Sequence, residues 1–448
     1  MDRDLLLSIC PALRTALTRA RFDTDTMLEL LGPDAHAALG RGEPVPVRRA
    51  AAGGGDLGTL VRLFLVCDTL PADEVGDALA PLDVATAIAS GLLERDGDGV
   101  RAALDLRPLD AGTGTRWMLS DLDGAMRPRR AREDHVLGVG HASLSLLQAM
   151  PTDPVGSVLD LGTGCGVQAV RATDFADTVT ATDVNARALV LAAATAALNE
   201  VEIELLEGSW FEPVAGRRFD RIVANPPFVV STGRVEHTYR DSGLDLDGAS
   251  ELMISRAAEH LNLYVGTWLR DGDADPRDPA VAARAEAWLD HFARHGVEGI
   301  GFGFVYLRRT DAPSDVLAED LRHGFTDPLG AEAVAYFDRL AWLRDHDVLE
   351  ARFVVRPDTA LERVYLPGED GWRQVVTRVH RGGGPNWQHE VDEPAAALLA
   401  GMRADGLPLA DLVALLAVAH GEDEQALTER AVALVQALVR HGLVEPVR

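Results

Sequence analysis

The clearest pattern in the chain lies between residues 155 and 228, where short apolar runs alternate with longer stretches of helical spacing. Val158-Leu-Asp-Leu161, Val179-Thr-Ala-Thr-Asp183 and Arg221-Ile-Val-Ala224 read as strands. Apolar runs of this length, separated by helices, give a parallel sheet covered on both faces.

The flanking segments are patterned differently. Residues 73–79 and 83–93 show helical spacing on either side of Ala80-Pro81, and residues 95–106 read as a hairpin turning at Asp98-Gly99. Helix, helix and hairpin in that order predict a winged-helix-like module. Beyond Gly299 the text becomes strand-rich at 300–308, 351–355, 361–366 and 374–379, then Gly382-Gly-Gly-Pro385 reads as a loop. Two amphipathic helices at 407–419 and 424–440 close in a short extension at 444–447.

The expected organisation has three parts: a helical, winged-helix-like N-terminal domain at 1–130, an α/β domain at 131–315, and an α+β C-terminal domain at 316–448 ending in a second winged-helix-like helical module. The length of 448 residues supports more than one core.

Composition then narrows the class. Apolar residues make up 47% and charged residues 25%, as in globular chains. No run approaches the roughly 18 apolar residues of a membrane span, and the apolar stretch at 5–9 sits between Asp4 and Pro11, unlike a secretory signal. A cytoplasmic location is expected. Cys10, Cys67 and Cys165 form no Cys-x-x-Cys pair, so neither a disulfide framework nor a metal site is expected.

All 43 basic side chains are arginine, and the net charge is −27. Such a field repels phosphate backbones and argues against long-range attraction to bulk nucleic acid. The second N-terminal helix carries Asp83 and Glu94 with no arginine between them, which argues against specific duplex DNA reading. Arg127, Arg129, Arg130 and Arg132 form the most basic run, either a solvated linker or a substrate-facing patch. No membrane partner is expected.

Candidate chemistry clusters at the strand ends. Ser157-Val-Leu-Asp-Leu-Gly-Thr-Gly-Cys-Gly166 is a strand running into a glycine loop, with a helix opening at Val167. A dinucleotide fold needs Gly-x-Gly-x-x-Gly for a pyrophosphate, whereas this loop is Gly-x-Gly-x-Gly with Asp160 at the strand end. A carboxylate there opposes a diphosphate and suits a cationic amino group. The second strand ends at Asp183, where an adenosine's ribose hydroxyls would sit.

These two pieces at this spacing resemble class I S-adenosylmethionine (SAM)-dependent methyltransferases over about residues 133–310, with Asp160-Leu-Gly-Thr-Gly-Cys-Gly166 as the first motif and Asp183 as the second. The resemblance implies a Rossmann-like seven-stranded domain with SAM as cofactor. It implies that Asp160, Gly162, Thr163, Gly164 and Gly166 surround the methionine part, that Asp183 with Val184 binds the ribose side, and that Ser209-Trp210 flank adenine. The common acidic residue of that last motif is absent. Asp134-His-Val-Leu-Gly-Val-Gly-His-Ala-Ser143 resembles the segment covering the SAM site in such enzymes.

The fourth strand ends in Asn225-Pro226-Pro227-Phe228. Asn225 offers a side-chain acceptor, Pro226 a backbone carbonyl, and consecutive prolines have restricted φ, which together make a rigid two-acceptor bracket for an NH₂ group. A planar amide or exocyclic amine is a poor nucleophile. Hydrogen bonds accepted from its N–H groups raise its electron density and align it, and Phe228 can stack on the planar group.

The loop resembles those of the release-factor glutamine methyltransferases and of the adenine-N6 and guanine-N2 methyltransferases, with Asn225-Pro-Pro-Phe-Val-Val230 nearest the glutamine branch. The expected catalytic residues are Asn225, Pro226, Pro227 and Phe228, with Asn225 also beside the cofactor. The acidic balance tilts the expectation towards a protein or peptide substrate such as a glutamine amide, with an RNA or DNA nucleobase as the alternative. A nicotinamide-dependent oxidoreductase is the rival enzyme class, and a winged-helix scaffold with a vestigial SAM domain the non-enzymatic rival.

One irregularity stands out. After residues 251–260 this fold calls for a glycine-led fifth strand, yet the chain passes directly to Leu263-Tyr-Val-Gly-Thr267. The expectation is a chain discontinuity at 261–264.

Overall fold

A computed structural model describes residues 2–110, 112–122, 132, 134–225, 303–313, 315–319, 321, 324–368 and 371–447, with residues 231–232, 245–246, 263–267, 290, 293 and 294 between them. The chain forms two compact units, residues 1–147 with 153–311 and residues 148–152 with 312–448.

The first unit opens with helices Arg3–Arg19 (α1), Thr24–Gly40 (α2), Pro44–Ala51 (α3), Gly55–Leu60 (α4), Ala72–Leu79 (α5) and Val84–Ala89 (α6). Strands Leu93–Asp96 (β1) and Gly99–Ala102 (β2) then form one hairpin, and Leu104–Asp110 (β3) and Thr115–Asp121 (β4) another. Asp2 caps α1 by accepting the Leu5 N–H at 3.2 Å, and the helix buries Leu6, Ile9, Leu13 and Leu17 at helical spacing.

Next come His141–Ala149 (α7), Val155–Leu161 (β5), Val167–Ala172 (α8), Ala176–Asp183 (β6), Ala186–Leu198 (α9), Glu204–Glu207 (β7) and Arg221–Ala224 (β8). The short strands Ser231–Thr232 (β9) and Asp245–Leu246 (β10) pair with each other, and Leu263–Thr267 (β11) and Phe304–Arg308 (β12) complete the unit.

The central sheet runs β12-β11-β8-β5-β6-β7. Its strands are parallel except β12, which lies antiparallel on the edge beside β11. Two expectations bear on this sheet. Seven strands are expected, and six lie among the described residues. The fifth parallel strand is Leu263–Thr267 itself, with Tyr264 opposite Ile222 and Gly266 opposite Ala224. No missing segment is needed to supply it.

α9 explains how the N-terminal helices join this sheet. It is alanine-rich and buried on several sides, because α1 packs against it as well as the sheet. Its polar residues serve the edge of β4: Asn199 accepts the Trp117 N–H at 2.9 Å and donates to the Trp117 carbonyl at 2.7 Å, and Thr195 Oγ1 accepts the Leu119 N–H at 3.2 Å. These bonds satisfy a strand edge that would otherwise be buried unpaired. One apolar core accordingly runs from Leu6 to Leu198.

The second unit contains helix Gly330–Asp345 (α10), strands Phe353–Val355 (β13), Thr359–Gly368 (β14), Gly371–Arg381 (β15) and Gln388–Glu390 (β16), helices Glu393–Gly401 (α11), Leu409–His420 (α12) and Glu424–Arg440 (α13), and strand Val444–Pro446 (β17). The terminal extension pairs with β13, and the helices close over Val413, Leu427, Val435 and Leu438. No helix of the described residues is long and apolar enough to cross a membrane.

Candidate active site

Chain order places β6 and β7 on one side of β5 and β8 on the other, so the sheet switches direction between β5 and β8. Open α/β sheets bind ligands beyond the carboxyl ends of the strands at such a point. Leu161 pairs with both Thr182 and Ala224. The next residues, Gly162, Asp183 and Asn225, therefore leave neighbouring strand ends about 4.8 Å apart per strand. The register alone brings the three sequence motifs to one level.

Asp160 is fully buried at the end of β5. Its Oδ2 accepts Thr163 Oγ1–H at 2.6 Å and the Ala169 N–H at 3.0 Å, while Oδ1 is buried without a partner among the described residues. Burial pushes its carboxyl up to about 7, against the lowering by Thr163 and Ala169 and with a further push from the Asp183 charge. A buried carboxylate oxygen lacking a donor fits a cationic ligand group.

The glycines divide into two kinds. Gly162, Gly164 and Gly166 all hold positive φ, at 76°, 56° and 89°. A Cβ on Gly162 or Gly164 would meet nothing within 4 Å, so these two border open space. A Cβ on Gly166 would lie 3.3 Å from the Ala192 backbone, so this glycine lets α8 and α9 approach each other.

Asp183 ends β6 with both oxygens occupied. Oδ2 accepts the Gly164 N–H at 2.9 Å and Oδ1 the Asn185 N–H at 2.8 Å. Burial raises its carboxyl above the usual range, partly offset by these backbone bonds. Each oxygen keeps a second lone pair for a hydroxyl. Val184 beside it is 57% exposed, an apolar side chain facing outwards at the loop.

Ser209 and the half-buried Trp210 follow β7, Trp210 in the left-handed region at φ 49° and packed against the small core of Phe211, Phe219 and Ile222. Cys165 is buried, its thiol pushed up to about 12, which leaves it inert as a nucleophile. Asn225 stands at the end of β8 with Oδ1 buried and unpartnered among the described residues. Pro226, Pro227 and Phe228 lie outside the described residues, as do Arg127, Arg129 and Arg130. No cluster of metal ligands occurs among the described residues.

Sequence reasoning missed three contributors. Gln168 lies in the first turn of α8, its Nε2 donating to the Ser143 carbonyl at 3.0 Å and its Oε1 buried without a partner among the described residues. Asn185 caps α9 by accepting the Arg187 N–H at 2.9 Å, a role that an Asn directly before a helical run could have signalled. Arg187 pairs with Asp121, 66 positions away, and no local pattern marks that contact.

Comparison with known proteins shows what the segment carrying the site is similar to. Residues 137–262 match the methyltransferase small domain. Residues 19–103 and 334–446 match two families, each described as a domain of unknown function (DUF7059 and DUF7782). The ribosomal RNA small subunit methyltransferase C of Erwinia tasmaniensis is 35% identical over 163 residues, 36% of this chain and 43% of that protein. Its Escherichia coli K12 counterpart is 35% identical over 127 residues, 28% of this chain and 34% of that protein. The match thus spans less than half the length of these curated relatives. A solved T. thermophilus 16S rRNA N2 methyltransferase, in complex with AdoMet and guanosine, aligns at 17% identity over 50% of this chain and 61% of that chain, with a TM-score of 0.32.

These relatives correct two expectations. They are ribosomal RNA enzymes, which overturns the preference for a protein or peptide substrate and the leaning towards the release-factor glutamine branch. The central segment of this chain, residues 137–262, is similar to the methyltransferase small domain, in line with the expected methyltransferase fold.

Proposed function

We propose that this chain is a cytoplasmic SAM-dependent methyltransferase that modifies an exocyclic amine of an RNA base, adenine N6 or guanine N2. The observation that carries the reading is the Oδ1 of Asn225, buried and without a partner among the described residues, one strand away from the glycine loop. The identity to ribosomal RNA methyltransferases supports RNA as the acceptor class.

In this reading the catalytic domain is residues 131–315, between flanking domains at 1–130 and 316–448. When bound, SAM supplies an electrophilic sulfonium methyl group. Asp160 Oδ1 accepts from the cofactor's ammonium, and Gly162, Thr163 and Gly164 leave room for its methionine chain. Gly166 holds α8 against α9. Asp183 accepts from ribose hydroxyls, while Val184, Ser209 and Trp210 border the adenine.

Asn225 accepts one N–H of the acceptor amine and the Pro226 carbonyl the other. Both bonds raise density on a nitrogen whose lone pair is delocalised, and both fix its line of approach. Phe228 stacks on the base, and Pro227 keeps the bracket rigid. The proton released by the amine passes to solvent or to an acceptor at this bracket.

A net charge of −27 makes RNA affinity depend on local contacts rather than the mean field. The test is labelling with radioactive methyl-SAM in an extract from cells lacking the protein, followed by separation of RNA from protein. Label in RNA supports the proposal; label in protein alone overturns it.

A further inference from the structure

Residues 134–143 form a strap that runs from the N-terminal strands into the first turn of α7, and both its ends are tied to the helices that follow the cofactor motifs. At one end Asn185 Nδ2 donates to the Asp134 carbonyl at 3.1 Å, while the Asn185 backbone N–H donates to Asp183 at 2.8 Å. At the other, Gln168 Nε2 donates to the Ser143 carbonyl at 3.0 Å, two residues beyond Gly166.

The middle of the strap is held by the end of β4. The Val136 N–H donates to Asp121 Oδ2 at 2.9 Å, and the Asp121 N–H donates to the Val136 carbonyl at 3.1 Å. Gly138 passes so close to Ser120 that a Cβ would lie 2.8 Å from its Oγ. The Asp121 carboxylate in turn receives Arg187 Nε at 2.9 Å on Oδ2 and a second guanidinium nitrogen on Oδ1, both side chains being largely buried. Arg187 lies two residues beyond Asn185, in the first turn of α9. His135 Nδ1 stands 3.8 Å from the same carboxylate.

We propose that Asp121 and Arg187 are positioning residues for the cofactor: their buried ion pair clamps the strap onto the start of α9, directly after Asp183, while Gln168 holds its other end to α8 beside Gly166. Through this carboxylate the end of β4 reaches the start of α9. The inference rests on the SAM reading above. A buried bidentate pair has fixed geometry, and removing one partner strands the other charge in a poorly solvated place. The strap then loses its anchor and the cofactor its cover.

The substitutions separate the parts of the clamp. Asp121→Asn keeps an acceptor for the Val136 N–H but removes the charge that holds Arg187. Asp121→Ala removes both. Gln168→Leu frees the Ser143 end and leaves the ion pair intact. Calorimetric titration of the full chain with SAM should show affinity about tenfold weaker for Asp121→Asn, weaker still for Asp121→Ala, and several-fold weaker for Gln168→Leu, the scale expected for losing charged or buried hydrogen bonds.

SAM should protect the strap from limited proteolysis in the wild type and fail to do so in Asp121→Ala. A merely structural role would lower the melting temperature yet leave the folded fraction with wild-type SAM affinity and protection. If Asp121→Ala does not fold, Asp121→Asn and Gln168→Leu decide. Wild-type affinity in both overturns the clamp. A wild-type chain that binds no SAM overturns the cofactor reading instead.

Discussion

At the end of β6 both oxygens of Asp183 are taken by backbone N–H groups, whereas at the end of β8 the carboxamide oxygen of Asn225 is buried with no described partner. The two positions stand at the same level of one sheet, on either side of β5. At Asp183 the glycine loop, the Asn185 cap and the carboxylate hold one another in place. The other holds an acceptor open. Buried polar groups are ordinarily paired, and an unpaired one marks a place where a ligand completes the set. The difference teaches that Asp183 is held in place by the fold itself, while Asn225, in the proposed reading, awaits the acceptor amine for its hydrogen bond.

The sharpest way to break this contrast is Asn225→Ala. Misplacing a reactant by about 1 Å can cost roughly a hundredfold, so single-turnover methyl transfer should fall by about that factor or more. SAM affinity, measured by titration of the same variant, should stay near wild type. Loss of both together would make Asn225 part of the cofactor side and dissolve the division.

Asp183→Ala should do the converse. It removes a buried charged acceptor worth about 1.5–3 kcal/mol, so SAM should bind roughly ten- to a hundredfold more weakly in calorimetric titration. An unchanged dissociation constant would remove Asp183 from the site.

Smaller effects come from the glycines. Gly166→Ala puts a Cβ 3.3 Å from Ala192 at a φ of 89° and should lower the unfolding free energy by about 2–4 kcal/mol, the left-handed cost plus overpacking. Gly164→Ala meets nothing within 4 Å and should cost only the left-handed part, about 1–2 kcal/mol, while disturbing SAM binding more. Denaturant melts paired with SAM titration check this; equal destabilisation by the two changes would contradict the assignment.

The smallest expected effect is in pH dependence. The Asp160 carboxyl is raised to about 7 by burial. Between its ordinary value and about 7 the folded chain therefore holds a proton that the unfolded chain has released. By linkage, this group's contribution to stability falls as pH rises through that window. Asp160→Asn should flatten the decline in melting temperature from pH 4 to 7 relative to wild type. Saturating SAM, whose ammonium favours the ionised carboxylate, should also reduce the slope; identical slopes in all three would refute the burial of an uncompensated carboxyl.

The cofactor side was legible in the sequence because its signals are local: a strand, a loop of three glycines, and a carboxylate at the next strand end. The parallel sheet followed from the alternation of runs, and Arg221–Ala224 falls where the apolar pattern puts it. Leu263–Thr267 was misread because β11 is only five residues long and carries its glycine inside the strand rather than ahead of it. The fusion of α1 and α9 into one core was not legible, since each helix alone shows merely an apolar face. The Asp121–Arg187 pair depends on residues 66 positions apart, and the chain's many arginines and acids give no hint of which two meet. Acidic composition misled on substrate because it averages over the surface, while recognition rests on local contacts.

The central claim is that Asn225 presents an exocyclic amine of an RNA base to the SAM methyl group. It is tested most directly by incubating the full chain with methyl-labelled SAM and unmodified ribosomal RNA, digesting the RNA to nucleosides and identifying the labelled product by mass spectrometry. The account predicts a nucleoside methylated on its exocyclic nitrogen, N2-methylguanosine or N6-methyladenosine, lost with Asn225→Ala. A label on ribose oxygen or on a ring carbon would contradict it, because neither acceptor has an N–H for Asn225 to receive.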